Sequence, residues 1–289
     1  MPDSRRADAM AEPNKETIQI RVNERPASID RGSTLWDVRR KYKPDADIVI
    51  FNGFPVAEDR VLENGDAVVL IRRGEIPPQE DLEALMMARH GPAEHAAVKR
   101  ARVGIAGCGG LGSSVAIALA RVGVGRLVLA DFDVVEPSNL NRQQFFIDQI
   151  GQAKVDALAS NIARINPFVA VERFPVRLTA ANTVDVFRGC DAIAECFDAA
   201  EAKAELVTTV RTLLPDTPIV AASGIAGYGT ARTIQSRRVL GKAFVVGDGE
   251  SAAQPGRGLW APRVLVAAGH QANIILRLLL GAIGSAEEG

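Results

Sequence analysis

The chain has 289 residues, 47% of them hydrophobic, which is enough apolar material for one main domain and a smaller one. Its 34 basic and 35 acidic residues give a formal net charge of -1, which disfavours a protein whose whole surface binds nucleic acid or an acidic membrane. Three cysteines without a CxxC pair, and no secretory signal, indicate a reducing, cytoplasmic compartment. We therefore expect neither disulfides nor zinc, and the glycine-interrupted apolar stretches predict no membrane span.

Residues 1–16 are polar and contain two prolines, which predicts a disordered leader. The next segment, residues 17–76, has strand patterns at both ends and one short helix between them. Ile18, Ile20 and Val22 alternate with polar residues as in a half-buried strand, and Ser33 or Thr34 can cap the helix. The predicted order of strand, strand, helix, strand, strand indicates a small α+β domain.

Residues 77–100 combine a proline-containing linker with helical segments. Residues 101–289 then alternate short apolar strands with longer helical segments. Because parallel strands need crossover helices, this pattern predicts an α/β domain with a Rossmann-like, mostly parallel sheet covered on both faces.

A glycine motif follows the first strand of this larger domain. Gly107, Gly109, Gly110 and Gly112 lie within a strand-to-helix turn, and Asp131 ends the next strand about twenty residues later. Glycines allow a tight turn and close approach to a phosphate, and the acid can bind a ribose hydroxyl. The pattern predicts a nucleotide site but leaves NAD and ATP both open.

Two cations and one further acid favour a triphosphate. Arg142 follows a polar run after Asp131, and Lys154 opens a predicted helix, so both can offset charge on an α-phosphate and a departing pyrophosphate. Asp198 ends an apolar strand, where ligands collect in open α/β sheets, and its carboxylate suits Mg²⁺.

These residues together resemble the adenylating domain of the ThiF/MoeB family, relatives of the ubiquitin-activating enzymes, over most of residues 89–281. The resemblance implies ATP-dependent adenylation of the C-terminal Gly-Gly carboxylate of a ThiS-like sulfur-carrier protein, with release of pyrophosphate. It also implies which residues contact the nucleotide and Mg²⁺: Gly107, Gly109, Gly110, Gly112, Asp131, Ser138, Asn139, Leu140, Asn141, Arg142, Lys154, Asp198 and Ala199. Catalysis would then rest on Arg142, Lys154 and Asp198, together with Arg89, which resembles an arginine that reaches the triphosphate of the neighbouring subunit in a homodimer.

The smaller domain resembles ThiS, a sulfur carrier with a ubiquitin-like β-grasp fold, through residues 48–55 and 62–70. A working carrier ends in a free Gly-Gly carboxylate, whereas here the last strand continues through Arg73 and Gly74 into more protein. With no carboxylate to adenylate, this domain is interpreted as a retained recognition or scaffold domain. The whole chain is thus similar to the ThiF subgroup with a fused ThiS-like domain, which suggests thiamine biosynthesis.

Relatives with covalent sulfur chemistry carry further cysteines, but none follows Cys196 here, so sulfur transfer is expected on another protein. The glycine-rich segment 247–258 is predicted either to clamp the carrier's tail or to be a plain surface loop. Two other functions remain open: an NAD(P)-dependent oxidoreductase, and a non-catalytic scaffold that binds nucleotide as a structural ligand.

Overall fold

The computed structural model describes residues 16–283 of the chain. The leader predicted for residues 1–16 therefore lies, apart from Glu16, outside the described residues. Two compact units make up the chain, Met1–Arg89 and His90–Gly289. Within residues 16–283, no helix combines the length and the apolar character that crossing a membrane requires.

The first unit contains a five-stranded mixed sheet packed on helix α1. Its elements are β1 Thr17–Val22, β2 Arg25–Asp30, α1 Leu35–Tyr42, β3 Ile48–Phe51, β4 Phe54–Val56 and β5 Ala67–Ile71. The strand order is β2-β1-β5-β3-β4, in which β1 and β5 are parallel and the other neighbours antiparallel. Thr34 and Asp37 form a capping box at the start of α1, and Leu35 and Val38 bury its apolar side against the sheet. The predicted α+β class is confirmed.

Strand β4 is not among the four strands that the sequence predicts for this unit. Asn52 and Gly53 have φ values of 47° and 91°, the pair of positive angles that a two-residue hairpin turn needs. The turn brings the chain back antiparallel to β3, so that Phe54 pairs with Phe51. With only three residues, β4 is too short for hydrophobic periodicity to reveal it.

The second unit contains a seven-stranded sheet. Helix α2, Gln79–His90, spans the division between the units. The elements that follow are α3 Pro92–Arg100, β6 Arg102–Ala106, α4 Gly110–Arg121, β7 Arg126–Ala130, α5 Lys154–Ile165, β8 Ala170–Phe174, α6 Thr183–Phe187, β9 Ala192–Glu195, α7 Ala200–Leu213, β10 Ile219–Ala222, β11 Gln235–Leu240, β12 Ala243–Gly247 and α8 Ala261–Leu279. The strand order is β11-β12-β10-β9-β6-β7-β8, and only the β11–β12 pair is antiparallel.

Helices cover both faces of this sheet. Alternate residues of β7 belong to two separate hydrophobic clusters, because successive strand side chains point to opposite faces. Leu129 packs in the cluster that contains Val115 of α4 and Ile275 of α8. Val128 packs in the cluster that contains Leu206 of α7. The predicted Rossmann-like sheet is confirmed.

The strand order reverses direction at β6. The chain leaves β6 through α4 toward β7 and β8, then returns to place β9 on the other side of β6. The loops after β6 and β9 therefore diverge at their carboxyl ends and leave a crevice between them. Ligands bind at such a switch point in open α/β sheets.

Candidate active site

A cavity of about 810 Å³ opens at the carboxyl ends of the parallel strands in the second unit. The glycine loop, the segment after β7, the start of α5 and the loops after β8, β9, β10 and β12 contribute to its wall. The residues predicted from the sequence that line it are Gly107, Gly109, Gly110, Asp131, Ser138, Asn139, Arg142, Lys154, Asp198 and Ala199. The fold thus brings together residues that are up to 92 positions apart in the chain.

The glycine loop packs too tightly for side chains. Gly107 has a φ of 90°, and its N–H donates to the Ala130 carbonyl at 2.8 Å. A Cβ on Gly112 would lie 1.8 Å from the Gly107 carbonyl oxygen, so Gly112 allows α4 to start directly above the loop rather than lining the cavity itself. Gly109, the N-cap of α4, supplies no side-chain acceptor. The N–H groups of the first helical turn are thereby left for an anionic ligand.

Asp131 is held by the backbone at the end of β7. Its Oδ2 accepts from the Cys108 N–H at 2.6 Å, and its Oδ1 accepts from the Asp133 N–H at 2.8 Å. Burial raises the pKa of Asp131, and these two hydrogen bonds and Lys154 partly offset that rise. Each carboxylate oxygen keeps a second lone pair, so the group can also accept from a ribose hydroxyl in the cavity.

Lys154 is a buried cation paired with Asp133. Its Nζ lies 2.7 Å from Asp133 Oδ2, and only 8% of its side chain is exposed, against 47% for Asp133. The backbone reinforces the pair, because the Lys154 N–H donates to the Asp133 carbonyl at 2.9 Å. Asp133 was not predicted as a site residue, although it lies two positions after Asp131 in the same polar run. Its more solvated carboxylate can release Lys154 to a phosphate at little cost.

The run from Ser138 to Arg142 forms a short 3-10 helix and its cap, Pro137–Asn141 and Arg142. Arg142 Nη1 donates to Asn141 Oδ1 at 2.9 Å and to the Ser138 carbonyl at 3.3 Å, while its buried Nε has no hydrogen-bond partner in the described part of the chain. Asn139 turns inward and its Oδ1 accepts from the Glu136 N–H at 3.0 Å. Arg142 thus lines the cavity as a cation without a carboxylate partner among residues 16–283.

Two predicted residues in this run lie away from the cavity. Leu140 packs against the main hydrophobic cluster, and Asn141 is exposed and supports Arg142 through its side-chain oxygen. Consecutive residues of a 3-10 helix point in different directions, so a five-residue run cannot present every side chain to one ligand.

Asp198 lies just beyond β9, between Phe197 and the start of α7. It is exposed, lines the cavity and makes no hydrogen bond or ion pair with any residue in the range 16–283. That range also contains no cluster of three or more His, Cys, Asp or Glu side chains suited to a metal ion. As an exposed carboxylate at the cavity wall, Asp198 can supply one ligand to Mg²⁺, which accepts a single carboxylate when phosphates and water complete its shell.

A buried ion pair beside Asp198 was not predicted. Glu195 is fully buried at the end of β9, and its Oε2 lies 2.5 Å from Lys203 Nζ. Burial raises the pKa of Glu195, opposed by Lys203 and by backbone hydrogen bonds from Phe197 and Ala222. A glutamate at the end of an otherwise apolar strand was the available signal, because charged residues are seldom fully buried without a partner.

Phe132 and Arg177 are two further cavity residues that were not predicted from the sequence. Phe132 follows Asp131 and lines the cavity, with the Arg177 guanidinium 5.5 Å from its ring centroid. This gives the cavity a planar apolar surface next to the carboxylate that can bind a sugar, as a purine requires. No sequence signal connects Phe132 with Arg177, which comes from the loop after β8.

Arg89 belongs to the first unit, near the end of α2. Its Nη2 lies 3.6 Å from Glu24 Oε1, and 77% of its side chain is exposed. Its role at the triphosphate of a neighbouring subunit stays a prediction.

The three cysteines are buried, as expected for core residues. Burial raises the pKa of Cys190 to about 12, and burial also raises the pKa values of Cys108 and Cys196. None is a ready thiolate nucleophile in this structure.

Models of two protein families match the chain. The model described as the ThiF family matches residues 82–288, and the model described as ThiS-like ubiquitin matches residues 18–74. The adenylyltransferase and sulfurtransferase UBA4 of Saccharomyces cerevisiae (strain YJM789) is 37% identical over 140 residues, which are 48% of this chain and 31% of the relative. The adenylyltransferase and sulfurtransferase MOCS3 of Bos taurus is 40% identical over 130 residues, which are 45% of this chain and 28% of the relative. The match thus spans under a third of each relative's length.

Solved structures show the same fold. The E. coli tRNA N6-threonylcarbamoyladenosine dehydratase TcdA, in complex with ATP, has a TM-score of 0.62 at 24% identity and covers 68% of this chain and 92% of its own. E. coli MccB, solved with MccA-N7isoASN, has a TM-score of 0.54 at 19% identity and covers 74% of this chain and 67% of its own.

Proposed function

Since the chain belongs to the ThiF family, we propose that it uses ATP to adenylate the C-terminal Gly-Gly carboxylate of a ThiS-like sulfur-carrier protein. The observation that carries this proposal is the common cavity of the glycine loop, Asp131, Arg142, Lys154 and Asp198. Two cations and a free carboxylate on one wall suit a triphosphate with a metal ion better than a dinucleotide, which carries less negative charge. The ThiS-like first unit favours thiamine biosynthesis as the pathway.

The reaction needs charge balance and alignment rather than a general base. A carrier carboxylate is ionised at neutral pH, so its oxygen attacks the α-phosphorus directly. The bond from the α-phosphorus to the oxygen bridging to the β-phosphorus breaks, and pyrophosphate leaves. Arg142, which has no carboxylate partner among residues 16–283, and Lys154, released from Asp133, are suited to the negative charge that builds on these oxygens. The N–H groups at the start of α4 bind another part of the phosphate chain.

Asp198 would hold Mg²⁺ through its free carboxylate. When bound, the ion screens the charge of the phosphates and fixes their orientation. Phosphate oxygens and water would complete its shell, since Asp198 is the acidic residue of the cavity wall without a protein partner among residues 16–283.

The part of the cavity formed by the loops after β10 and β12 is suited to the carrier's tail. Its lining residues are small except for Ile225: Ser223, Gly224, Ile225, Ala226, Ser251, Ala252 and Ala253. The loops are tied together by the Ala226 N–H, which donates to the Ser251 carbonyl at 3.0 Å. An extended chain ending in two glycines needs a narrow, small-residue channel, because it has no side chains to fill a wide one. This supports the tail-binding alternative for segment 247–258.

The ThiS-like unit is proposed to recruit or position partners rather than to act as substrate. Its last strand, β5, ends at Ile71, and the chain continues into α2 without a free carboxylate. A homodimer, in which Arg89 of one subunit reaches the nucleotide of the other, is proposed on the family resemblance, as is a cytoplasmic location.

The deciding experiment is incubation of the full chain with ATP, Mg²⁺ and candidate ThiS-like carriers that end in Gly-Gly. Mass spectrometry should find a carrier with added AMP, and pyrophosphate exchange into ATP should depend on the carrier. The same carrier without its last two glycines is the control and should support neither. Absence of ATP affinity in calorimetry with Mg²⁺ present, or binding of a nicotinamide dinucleotide instead, would refute the proposal. Tight ATP binding without exchange on any carrier would indicate the scaffold function.

A further inference from the structure

The buried Glu195–Lys203 pair encloses the peptide that leads to Asp198. Glu195 Oε1 accepts from the Phe197 N–H at 2.7 Å, and Lys203 Nζ donates to the Phe197 carbonyl at 3.2 Å. The two side chains also contact each other at 2.5 Å. Both peptide groups of Phe197 are therefore fixed by one ion pair, directly before Asp198.

The same segment is anchored to the glycine loop. The Cys196 N–H donates to the Ala106 carbonyl at 2.9 Å, and the Phe197 ring packs on Gly107, where an added Cβ would be 3.0 Å from Phe197 Cδ1. Gln271 of α8 completes the support by donating to the carbonyls of Glu195 and Val220, each at 3.0 Å. Asp198 thus follows a segment held by contacts from β6, α7 and α8, although its own side chain forms no hydrogen bond or ion pair with residues 16–283.

Lys203 differs from Lys154 although both line the cavity. Lys154 faces a half-exposed carboxylate that solvent can stabilise alone, whereas Lys203 faces a fully buried one. Moving Lys203 to a phosphate would leave Glu195 as an isolated buried charge, which is strongly unfavourable. Lys203 is therefore expected to keep its contacts with Glu195 and with the Phe197 carbonyl when a nucleotide binds.

We propose that Lys203 and Glu195 are positioning residues that fix the carboxylate of Asp198 for a divalent cation bound together with the nucleotide. This rests on the proposed function for the identity of the nucleotide and the cation. Without the pair, the segment 196–199 would lose the two contacts that set the direction of Asp198, and the cation would bind more weakly while the phosphate-binding N–H groups and cations remained.

The test compares Lys203→Met, Lys203→Arg and Glu195→Gln with Lys242→Met as the matched control. Lys242 also contacts a carbonyl and a carboxylate, but at the opposite end of the sheet and with the fully exposed Asp216, its Nζ 2.9 Å from the Asp216 carbonyl oxygen and 3.4 Å from Asp216 Oδ1. Binding of Mn²⁺ in the presence of saturating ATP is followed by electron paramagnetic resonance, and ATP binding is measured with and without metal by calorimetry. The Mg²⁺ concentration for half-maximal pyrophosphate exchange is the activity readout.

We expect Lys203→Met to weaken Mn²⁺ binding and raise the Mg²⁺ requirement by about 10- to 100-fold, the range found when supporting residues of metal sites are removed. Metal-free ATP binding should change less than threefold, a bound we set to separate the two effects. Lys203→Arg should recover most of the loss, because a guanidinium can bridge a carboxylate and a carbonyl. Lys242→Met should match the parent protein.

Two results would overturn the inference. The first is an Mn²⁺ affinity of Lys203→Met equal to that of the parent protein. The second is a loss of ATP affinity in Lys203→Met that is the same with and without metal, because Lys203 would then be a phosphate ligand. Glu195→Gln also distinguishes a positioning role of Lys203 from a phosphate-binding role, and it replaces Lys203→Met in the test if that variant does not fold. It should weaken Mn²⁺ binding if the pair positions Asp198, but preserve or strengthen ATP binding if Lys203 is a phosphate ligand. Because Mn²⁺ binding requires no carrier, a parent protein that binds Mn²⁺ and ATP but exchanges no pyrophosphate refutes the proposed function while still testing this inference.

Discussion

The two ends of the seven-stranded sheet carry the same kinds of charged residue and use them differently. At the amino end, Arg102 and Arg126 open strands β6 and β7 and contact Glu172 at 2.9 and 3.0 Å. These side chains are 22–53% exposed, and each charge has an opposite partner. At the carboxyl end, Glu195 is fully buried and Asp198 has no protein partner in the range 16–283.

Ion pairs alone therefore do not mark the site. Both ends have them, but at the carboxyl end the pairs of the buried Lys154 and Glu195 occur together with the Asp198 carboxylate, which has no hydrogen-bond or ion-pair partner among residues 16–283. The parallel topology accounts for the place of the cavity, because the loops after β6 and β9 separate at the switch point, at the carboxyl ends of the strands. Variants matched between the two ends can separate charge used for stability from charge used for function.

The largest effect is expected from a matched pair of glycine substitutions. A Cβ on Gly112 would lie 1.8 Å from the Gly107 carbonyl oxygen at the carboxyl end, and a Cβ on Gly125 would lie 1.8 Å from the Lys99 carbonyl oxygen at the amino end. Both Gly→Ala changes should destabilise the second unit by about 3 kcal/mol through overpacking. Only Gly112→Ala should also weaken ATP binding by the folded protein, by tenfold or more, because it displaces the glycine loop.

Stability of the second unit can be followed by the fluorescence of Trp260 in a Trp36→Phe background, since these are the two tryptophans of the chain. ATP binding is measured by calorimetry at a temperature where both variants are folded. Equal losses of ATP affinity in Gly112→Ala and Gly125→Ala would contradict the assignment of the phosphate site to the glycine loop.

The next effect concerns the cation at the cavity wall. Lys154→Met should lower the rate of carrier-dependent pyrophosphate exchange by about 100-fold, since one preorganised charge facing a developing anion contributes about 3 kcal/mol. The stability of the protein should change by less than about 1 kcal/mol, because Asp133 remains solvated. Arg126→Met, which removes an amino-end cation, is the control and should leave exchange unchanged; an equal loss there would show that the overall charge of the unit matters rather than its placement.

A smaller effect concerns Asp248, which follows β12. Burial would raise the pKa of Asp248, but hydrogen bonds from the Ser251 side chain and backbone and from the Glu250 N–H, together with Arg263, lower it to about 2. Because this folded-state pKa is below the unfolded value, its stabilisation is complete above about pH 4 and is lost as the pH falls toward 2. The depression corresponds to about 2 kcal/mol at neutral pH.

Asp248→Asn should therefore be less stable than the parent protein at pH 7, and the difference should shrink between pH 4 and pH 2. Urea unfolding at several pH values, followed by Trp260 fluorescence in the Trp36→Phe background, measures this difference in the free energy of unfolding. A difference that stays constant across this range would show that the charge of Asp248 is not what stabilises the loop.

The sequence predicts the glycine loop, Asp131, Lys154 and Asp198 because each follows or opens a predicted strand or helix, and Arg142 because it stands in the polar run after Asp131. It does not reveal Asp133, Lys203 or Arg177 as members of the same cavity. Their contacts join different loops, or join a loop to a helix, and depend on side-chain geometry that no local pattern encodes. The same limit explains β4, which exists because the Asn52–Gly53 turn places three residues beside β3.

The smallest expected effect is that of Glu172→Gln at the amino end. Glu172 accepts hydrogen bonds from Arg102 at 2.9 Å and from Arg126 at 3.0 Å, but its side chain is 32% exposed and water competes for the same contacts. The change should lower the free energy of unfolding of the second unit by at most about 1 kcal/mol. Exchange activity and the Mg²⁺ requirement should be those of the parent protein, because the residues that line the cavity do not include Glu172, Arg102 or Arg126. Urea unfolding and exchange assays on the same preparation check both statements. A loss of activity without a loss of stability would mean that the two ends of the sheet are coupled through its strands, and that the amino-end charges contribute to the reaction.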